Sequence, residues 1–160
     1  MSATDRLSLQ QRLAPRSICF GCGPANERGL QIASFPSEDD PETVVMTWQP
    51  EAHHEAFPGM LNGGIIGALF DCHMNWTATW HLMRRDGLSR PPSTVTSEFS
   101  VALRRPTPTA GRVLVSARAV SSEGSRVTVE ATMEAGGRET ARGRGVFVAV
   151  EPGHPAYHRW

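Results

Sequence analysis

The chain has 160 residues, a length that suits one domain of ordinary size. Its 16 basic and 16 acidic residues give a formal net charge of +0, so no overall field attracts nucleic acid or an anionic membrane. With 39% hydrophobic and 20% charged residues, the composition is that of a globular protein. We therefore expect neither a nucleic acid nor a membrane among its partners.

The amino-terminal segment carries few apolar residues. Thr4 to Leu13 has the pattern of a short helix, and we assign residues 1–16 to an N-terminal arm. This segment lacks the apolar core of a signal peptide. The chain has three cysteines, an odd and sparse set that argues against a disulfide scaffold. We therefore expect a reducing, cytoplasmic setting.

The next segment is rich in turn-forming residues and contains a Cys-x-x-Cys pair, Cys19 and Cys22. Two such thiols are half of a tetrahedral zinc site, and the candidates for the other half are His53, His54 and His73. Adjacent histidines are poor geometry for one tetrahedral ion, and the chain has no second Cys-x-x-Cys. We therefore predict no metal site, and we expect the cysteine loop to pack against the domain.

Two short strands and one long helix are predicted next. The segments LQIASF (residues 30–35) and TVVMTW (residues 43–48) have the pattern of a hairpin, joined by an acidic turn. From Leu61 to about Arg85 the chain has the composition of one helix, with Gly87 as its stop signal. The first half of this helix is apolar almost all round, so we expect other structure to enclose it.

The second half of the chain alternates between apolar and polar residues in four segments, which begin near Val95, Val113, Val127 and Ala141. Turns separate the segments, which predicts a four-stranded antiparallel meander with one apolar face. The element order predicts an α+β fold, in which an antiparallel sheet of five to six strands curls around one long helix. We assign residues 17–150 to this domain and residues 151–160 to a C-terminal tail.

Candidate functional residues lie at the start and in the middle of the predicted helix. Asn62, Gly63 and Gly64 stand at its entrance, where unpaired N–H groups and the positive end of the helix dipole can stabilise an oxyanion. The alternative is an asparagine N-cap, followed by glycines at a tight contact between helix and sheet. Further along, Asp71 is the only formally charged residue in the range 65–78.

A carboxylate in such apolar surroundings needs hydrogen-bond donors or a use for its charge, because burying it without partners costs several kcal/mol. Asn75, one helical turn after Asp71, is a candidate partner. The alternatives are that Asp71 faces water at a subunit boundary or pairs with a distant arginine. From the residues alone, these structural alternatives and a functional role for Asp71 are equally favoured.

The run from Gly59 to Asp71 resembles the helix entrance of the PaaI-like hotdog-fold acyl-CoA thioesterases. That family has a His-Gly-Gly triplet, then apolar residues, then an aspartate nine residues after the first triplet position, and Asn62 and Asp71 have this spacing. The segments STVTSEFSVALRRPTPTAG (residues 93–111) and CFGCGPANERGL (residues 19–30) are similar to a strand and to an amino-terminal segment of the family. The resemblance covers residues 17–150 and implies the hotdog fold.

The resemblance implies a hydrolase that acts on a thioester of coenzyme A or of a related carrier. Asp71 would be the catalytic carboxylate, either as general base for water or as nucleophile. The Gly63 N–H would hold the thioester oxygen, next to Asn62 at the helix start, and Thr96 would reach across from the partner subunit to orient water or the carboxylate. The residues expected near the substrate or along the coenzyme A channel are His54, Gly64, Asn75, Leu103, Arg104, Arg105, Pro106, Gly124, Ser125 and Arg126.

The resemblance also implies an assembly, a homodimer or a dimer of dimers, whose active sites lie between helices of different subunits. An acyl-CoA is the expected small-molecule partner. No separate cofactor is expected, because coenzyme A is itself part of the substrate.

The chain departs from the family at Asn62, where its members commonly have histidine. Asparagine can form hydrogen bonds and cap a helix, but it cannot take up a proton near neutral pH. If the chemistry needs only the Gly63 amide, activity is retained, and if it needs an imidazole, His54 in the preceding loop is the candidate replacement. The missing histidine also motivates a second hypothesis, a non-catalytic hotdog protein that binds acyl-CoA.

Overall fold

The computed structural model describes residues 6–158, and in this range the chain forms two α-helices, a short 3₁₀ helix and eight strands. The helices are α1 (Leu9–Leu13) and α2 (Gly63–Asp86), and the 3₁₀ helix spans Ala52–His54. The strands are β1 (Phe35–Pro36), β2 (Thr43–Trp48), β3 (Glu55–Phe57), β4 (Met60–Leu61), β5 (Thr94–Leu103), β6 (Val113–Glu123), β7 (Arg126–Ala135) and β8 (Arg138–Ala149).

Six of these strands form one antiparallel sheet, in the order β1-β2-β6-β7-β8-β5. The helix α2 packs against this sheet through contacts with β2, β5, β6, β7 and β8. The inward faces of the strands and the buried side of α2 form one hydrophobic core. The predicted fold class, an antiparallel sheet of five to six strands with one long helix, is confirmed.

One pairing of the predicted meander is wrong. β6, β7 and β8 are consecutive neighbours, but β5 pairs with β8 at the edge of the sheet, and β2 takes the place beside β6. The connection from Leu103 to Val113 contains Pro106 and Pro108, and it is too long for a tight hairpin. Alternation identifies a strand and its apolar face, but it carries no information about which strand pairs with it.

The helix α2 ends where its sequence predicts, but it begins two residues after the predicted start, because Leu61 belongs to β4. It begins after the N-cap Asn62, whose Oδ1 accepts a hydrogen bond from the Ile65 N–H at 3.1 Å. It ends at Gly87, which has a φ of 63° in the left-handed region that favours glycine. In the part of the chain that the structure describes, no helix is both long enough and apolar enough to cross a membrane.

The first predicted hairpin is correct only in its second strand. TVVMTW forms β2, but of LQIASF only Phe35 enters a strand, as the first residue of β1. The preceding residues pack inward instead: Leu30 and Ile32 are buried, and the Leu30 carbonyl accepts a hydrogen bond from Trp48 Nε1 at 2.8 Å. Burial of these side chains therefore replaces strand pairing in this segment.

The amino-terminal segment packs onto the domain. Thr4, the expected helix start, lies outside the described residues, and α1 follows a capping box formed by Ser8. Leu9 and Gln10 are buried, and the Gln10 side chain forms hydrogen bonds with the backbone N–H and the hydroxyl of Ser34. The segment assigned to an arm thus contributes to the core, because its apolar and amide side chains find partners there.

His73 is a fully buried part of this core. Its Nε2 lies 3.0 Å from the Val44 carbonyl oxygen, which can only accept, so Nε2 carries the proton. Its Nδ1, at 2.8 Å, then accepts a hydrogen bond from the hydroxyl of Ser34. Burial lowers the pKa of His73 to about 4. His73 is therefore not available as a metal ligand, since both ring nitrogens are engaged in the core.

We expect the stability of the protein to fall as the pH is lowered from 6.5 towards 4. The folded-state pKa of His73 lies below its unfolded value, so the unfolded state binds more protons in this window. The loss attributable to this group is at most about 3 kcal/mol. Thermal unfolding followed across this pH range measures it. The variant His73→Gln cannot titrate and should lose less stability over the same window; an equal loss would contradict the assignment.

Candidate functional site

The start of α2 presents backbone N–H groups that the helix itself does not use. The Oδ1 and the carbonyl oxygen of Asn62 accept the N–H groups of Ile65 and Ile66. The first N–H groups of a helix, here those of Gly63 and Gly64, have no acceptor within it and lie at the positive end of its dipole. Asn62 is therefore the N-cap of α2, and the N–H groups of Gly63 and Gly64 have the position and polarity of oxyanion donors.

A cleft of about 400 Å³ opens beside this helix start. Gly63 forms part of its wall, together with Leu103, Arg104, Arg105 and Pro106. A Cβ built on Gly63 would lie 3.3 Å from Cδ1 of Leu103, so helix and strand approach closely here. The structure thus brings the first predicted channel segment together with the predicted oxyanion donor.

The second predicted channel segment lies elsewhere in the same chain. The strand register aligns Arg126 with Val148, and Val148 with Val95, whereas Leu103 lies at the opposite end of β5. The separation along the strand is about 26 Å at 3.3 Å per residue. Gly124, Ser125 and Arg126 therefore do not meet the Leu103 segment within one chain, because the antiparallel register puts them at opposite ends of the sheet. The two segments can line one channel only when they come from different copies of the chain.

Asp71 is half-buried on the side of α2 that follows β5. The hydroxyl of Thr96 donates a hydrogen bond to Asp71 Oδ1 at 2.6 Å. Both residues belong to one chain, so the expectation that Thr96 approaches from the partner subunit is wrong. The reason is that α2 runs along β5, as the proximity of Gly67 to the ring of Phe99 also shows. This charge-assisted hydrogen bond fixes the orientation of the carboxylate.

Asn75 lies one helical turn beyond Asp71, on the same side of α2. Its side chain is buried, and its Oδ1 has no hydrogen-bond partner among residues 6–158. A buried acceptor without a donor costs about 1–3 kcal/mol. A water or a substrate donor bound at this position would recover that energy. Asp71, Thr96 and Asn75 therefore form a polar site with an acceptor available to a ligand.

The two halves of the predicted catalytic site are separated along one helix. Gly63 and Asp71 both belong to α2, and eight residues of helix rise about 12 Å. A thioester oxygen held by the Gly63 N–H is therefore out of reach of the Asp71 carboxylate of the same chain. Both groups can act on one thioester only when they come from different copies of the chain.

His54 lies in the 3₁₀ helix that precedes α2. Its Nδ1 accepts the backbone N–H of Glu51 at 3.0 Å, and its ring centroid lies 4.8 Å from that of Trp48. Burial, reinforced by neighbouring His53, lowers the pKa of His54. The ring faces an open cleft of about 840 Å³ that also includes Ile65. The structure thus places His54 in a cleft other than the one that Gly63 lines.

The fold brings together three cysteines that the sequence did not connect, Cys19, Cys22 and Cys72, whose sulfurs lie within 4.8 Å of one another. Hydrogen bonds with Cys22 and Cys72 hold the pKa of the Cys19 thiol well below its usual range. A hydrogen bond with Cys19, together with burial, raises the pKa of Cys22 to about 12. The Cys-x-x-Cys spacing signals one half of this cluster, but no sequence signal connects it to Cys72, which lies 53 residues after Cys19.

Solved structures resemble this chain, whereas no protein-family model and no curated protein matches it. A thioesterase superfamily protein from Shewanella loihica PV-4 is 26% identical with a TM-score of 0.63, over 80% of this chain and 98% of that one. A Bacillus halodurans protein solved with CoA is 24% identical with a TM-score of 0.61, over 76% of each chain. The PaaI protein of the E. coli phenylacetic acid degradation operon is 16% identical with a TM-score of 0.62, over 76% of this chain and 81% of that one.

The last two similarities bear on the fold alone, and the first adds a sequence likeness over almost the whole of a thioesterase superfamily protein. They agree with the six-stranded sheet and the long helix described above. The chain therefore has the hotdog fold and resembles proteins of the thioesterase superfamily, as its similarity to the PaaI-like proteins predicts.

Proposed function

We propose that this protein is a hydrolase that cleaves the thioester of an acyl-CoA or of a related acyl carrier. The observation that carries the proposal is the Asp71–Thr96 hydrogen bond on a helix whose first N–H groups border a cleft. Thioester hydrolysis needs an oriented base or nucleophile and donors for the oxyanion, and these residues supply both. The CoA in the Bacillus halodurans structure supports the ligand class.

Asp71 has two possible roles in this reaction. As general base, it takes a proton from the water that attacks the thioester carbon, and coenzyme A leaves through its sulfur. As nucleophile, Asp71 attacks the carbon itself and forms an acyl anhydride, which water then hydrolyses. In either role Thr96 keeps the carboxylate oriented, and the buried Oδ1 of Asn75 accepts a hydrogen bond from the attacking water.

We propose further that a second copy of the chain completes each site. The distance along α2 is one reason for this proposal, because Asp71 and Gly63 of one chain cannot reach the same thioester. The edge strand β5 supports this arrangement, since its side chains Phe99 and Leu103 are 43% and 57% exposed beside the same helix. Unpaired edges and exposed apolar side chains are features that a partner copy covers.

The cleft at Gly63 also suits the chemistry of coenzyme A. Arg104 and Arg105 are both exposed at its wall, and guanidinium groups bind phosphate oxygens with two parallel hydrogen bonds. Leu103 and Pro106 supply an apolar wall for the rest of the ligand. We infer that the carrier enters along these residues and that its thioester reaches the helix start.

A panel of aliphatic and aromatic acyl-CoAs tests the proposal. We expect enzyme-dependent release of coenzyme A from at least one ester, measured by chromatography because the exposed Cys19 would react with thiol-directed dyes. Saturable binding without hydrolysis of any ester would instead support the alternative, a non-catalytic acyl-CoA-binding protein, which Asn62 motivates. Failure of both hydrolysis and binding across the panel would contradict both functions.

A further inference from the structure

We propose that Cys19, Cys22 and Cys72 form a binding site for Zn²⁺, separate from the hydrolytic residues. The sequence alone offers only histidines to complement the Cys-x-x-Cys pair, and their geometry is poor. The fold provides a better third ligand, because α2 places the sulfur of Cys72 beside the loop that carries Cys19 and Cys22. Three thiolates are soft ligands, and soft thiolate sets select zinc rather than magnesium or calcium.

The spacing of the sulfurs is that of a tetrahedral zinc–thiolate site. With Zn–S bonds of about 2.3 Å, two sulfurs at the corners of a tetrahedron lie about 3.8 Å apart. Cys19 Sγ and Cys72 Sγ are 3.8 Å apart, and all three sulfurs lie within 4.8 Å of one another. A disulfide requires about 2.05 Å, and all three cysteines are free. An ion can therefore bind with small movements of the side chains.

The loop that carries two of the ligands is held in place by its own backbone. The carbonyl of Cys19 accepts the Gly23 N–H at 2.8 Å, and the carbonyl of Gly21 accepts the Ile32 N–H at 3.0 Å. A Cβ at Gly21 would lie only 2.3 Å from Cys72 Sγ, so only glycine allows the loop to approach α2 this closely. The site is thus largely organised before an ion arrives.

The sulfurs also have hydrogen-bond partners of the kind that support metal-bound thiolates. The backbone N–H groups of Cys22 and Gly21 favour the deprotonated form of Cys19, and the Trp76 side chain favours that of Cys22. Such contacts outside the ligand shell orient metal ligands and tune their basicity.

The site is open on one side only. Cys22 is buried, Cys72 is half-buried and Cys19 is exposed. Among residues 6–158, the cluster comprises these three side chains and no further His, Asp or Glu. We infer that solvent water is the fourth ligand, at the open side by Cys19. On binding, each thiol that ligates Zn²⁺ gives up its proton to the buffer.

Metal binding by the full-length chain tests the proposal without reference to activity. Purified protein is freed of metal, reduced with a metal-free phosphine and titrated with Co²⁺ and then Zn²⁺. We expect one ion per chain, a thiolate-to-cobalt charge-transfer band, visible bands of tetrahedral Co²⁺, and loss of both when Zn²⁺ replaces Co²⁺. A reduced protein that binds no ion, or binds Co²⁺ without thiolate charge transfer, would overturn the proposal.

Two variants identify the ligands. Cys19→Ser should weaken Zn²⁺ binding at least about tenfold and should reduce the charge-transfer band. Cys72→Ser should do the same. Loss of a residue that only supports a ligand already weakens metal binding by about tenfold or more, and loss of a ligand should cost at least as much. Ile18→Ser is the matched control, because Ile18 is 78% exposed beside Cys19 and its replacement leaves all sulfurs in place. Unchanged binding by the folded Cys19→Ser protein, or equal weakening by the control, would contradict the assignment.

Discussion

Asp71→Asn is expected to lower kcat for acyl-CoA hydrolysis by about 10²–10⁴-fold, the range in which a positioned base or acid contributes. Asparagine keeps the size of the side chain and can still accept the Thr96 hydrogen bond, so the fold should persist. It removes the negative charge that either takes a proton from water or attacks the thioester. Steady-state kinetics on the best ester of the panel measures the loss. Full activity in the folded variant would reject the assignment.

Thr96→Val is the matched control for the carboxylate. It preserves side-chain shape and removes only the hydroxyl that donates to Asp71 Oδ1. We expect a loss in kcat that is smaller than that of Asp71→Asn, with KM little changed, because Thr96 orients the carboxylate and does not contact the thioester. A larger loss in Thr96→Val than in Asp71→Asn would contradict this division of roles.

Isotope labelling separates the two roles of Asp71. In a single turnover in H₂¹⁸O, general-base catalysis puts the labelled oxygen into the released acid. In the nucleophilic route, water attacking the acyl carbon leaves the label in the acid, whereas water attacking the Asp71 carbonyl carbon leaves it in the carboxylate. Label found in Asp71 by mass spectrometry therefore identifies the nucleophilic route.

Gly63→Pro is expected to lower kcat by about 10²–10³-fold, because it removes the N–H proposed to hold the developing oxyanion. Gly63 is the first residue of α2, a position where proline is well tolerated. The preceding Asn62 has φ −63° and ψ 135°, a conformation compatible with a following proline. Helicity and thermal stability of the variant should therefore stay close to those of the unmodified protein.

Gly63→Ala is the matched control for the proline variant. It keeps the N–H and adds a Cβ 3.3 Å from Cδ1 of Leu103, the end of an exposed, flexible side chain that can move aside. We expect alanine to retain most of the activity. Equal losses in the alanine and proline variants would show that crowding, and not the missing donor, reduces the rate.

Mixing the two impaired variants, Asp71→Asn and Gly63→Pro, tests whether each site takes residues from two chains. In a hybrid dimer of Asp71→Asn with Gly63→Pro, one site carries both defects and the other carries neither. Activity should therefore reappear, because about half of the sites in the hybrid dimers are intact. If a single chain supplied both groups, every site in the mixture would stay defective and no activity would return.

The sequence was sufficient to predict the elements that depend on neighbours along the chain. The N-cap Asn62, the C-terminal Gly87 and the apolar run between them define α2, and alternation defines β6, β7 and β8. It also identified Asp71 as an anomaly, since one carboxylate in an apolar helix requires a partner. These signals are local, because capping and periodicity involve residues within a few positions of one another.

The folded structure was needed to show which distant segments meet. It put β5 beside β8, brought Thr96 of the same chain to Asp71, and joined Cys72 to a loop 53 residues earlier. Each of these contacts is selected by the free energy of burying whole faces of helix and sheet against one another, summed over the core. No short window of sequence contains this summed free energy. The sequence therefore could not show which strands pair, that Thr96 contacts Asp71 of its own chain, or that three cysteines lie together.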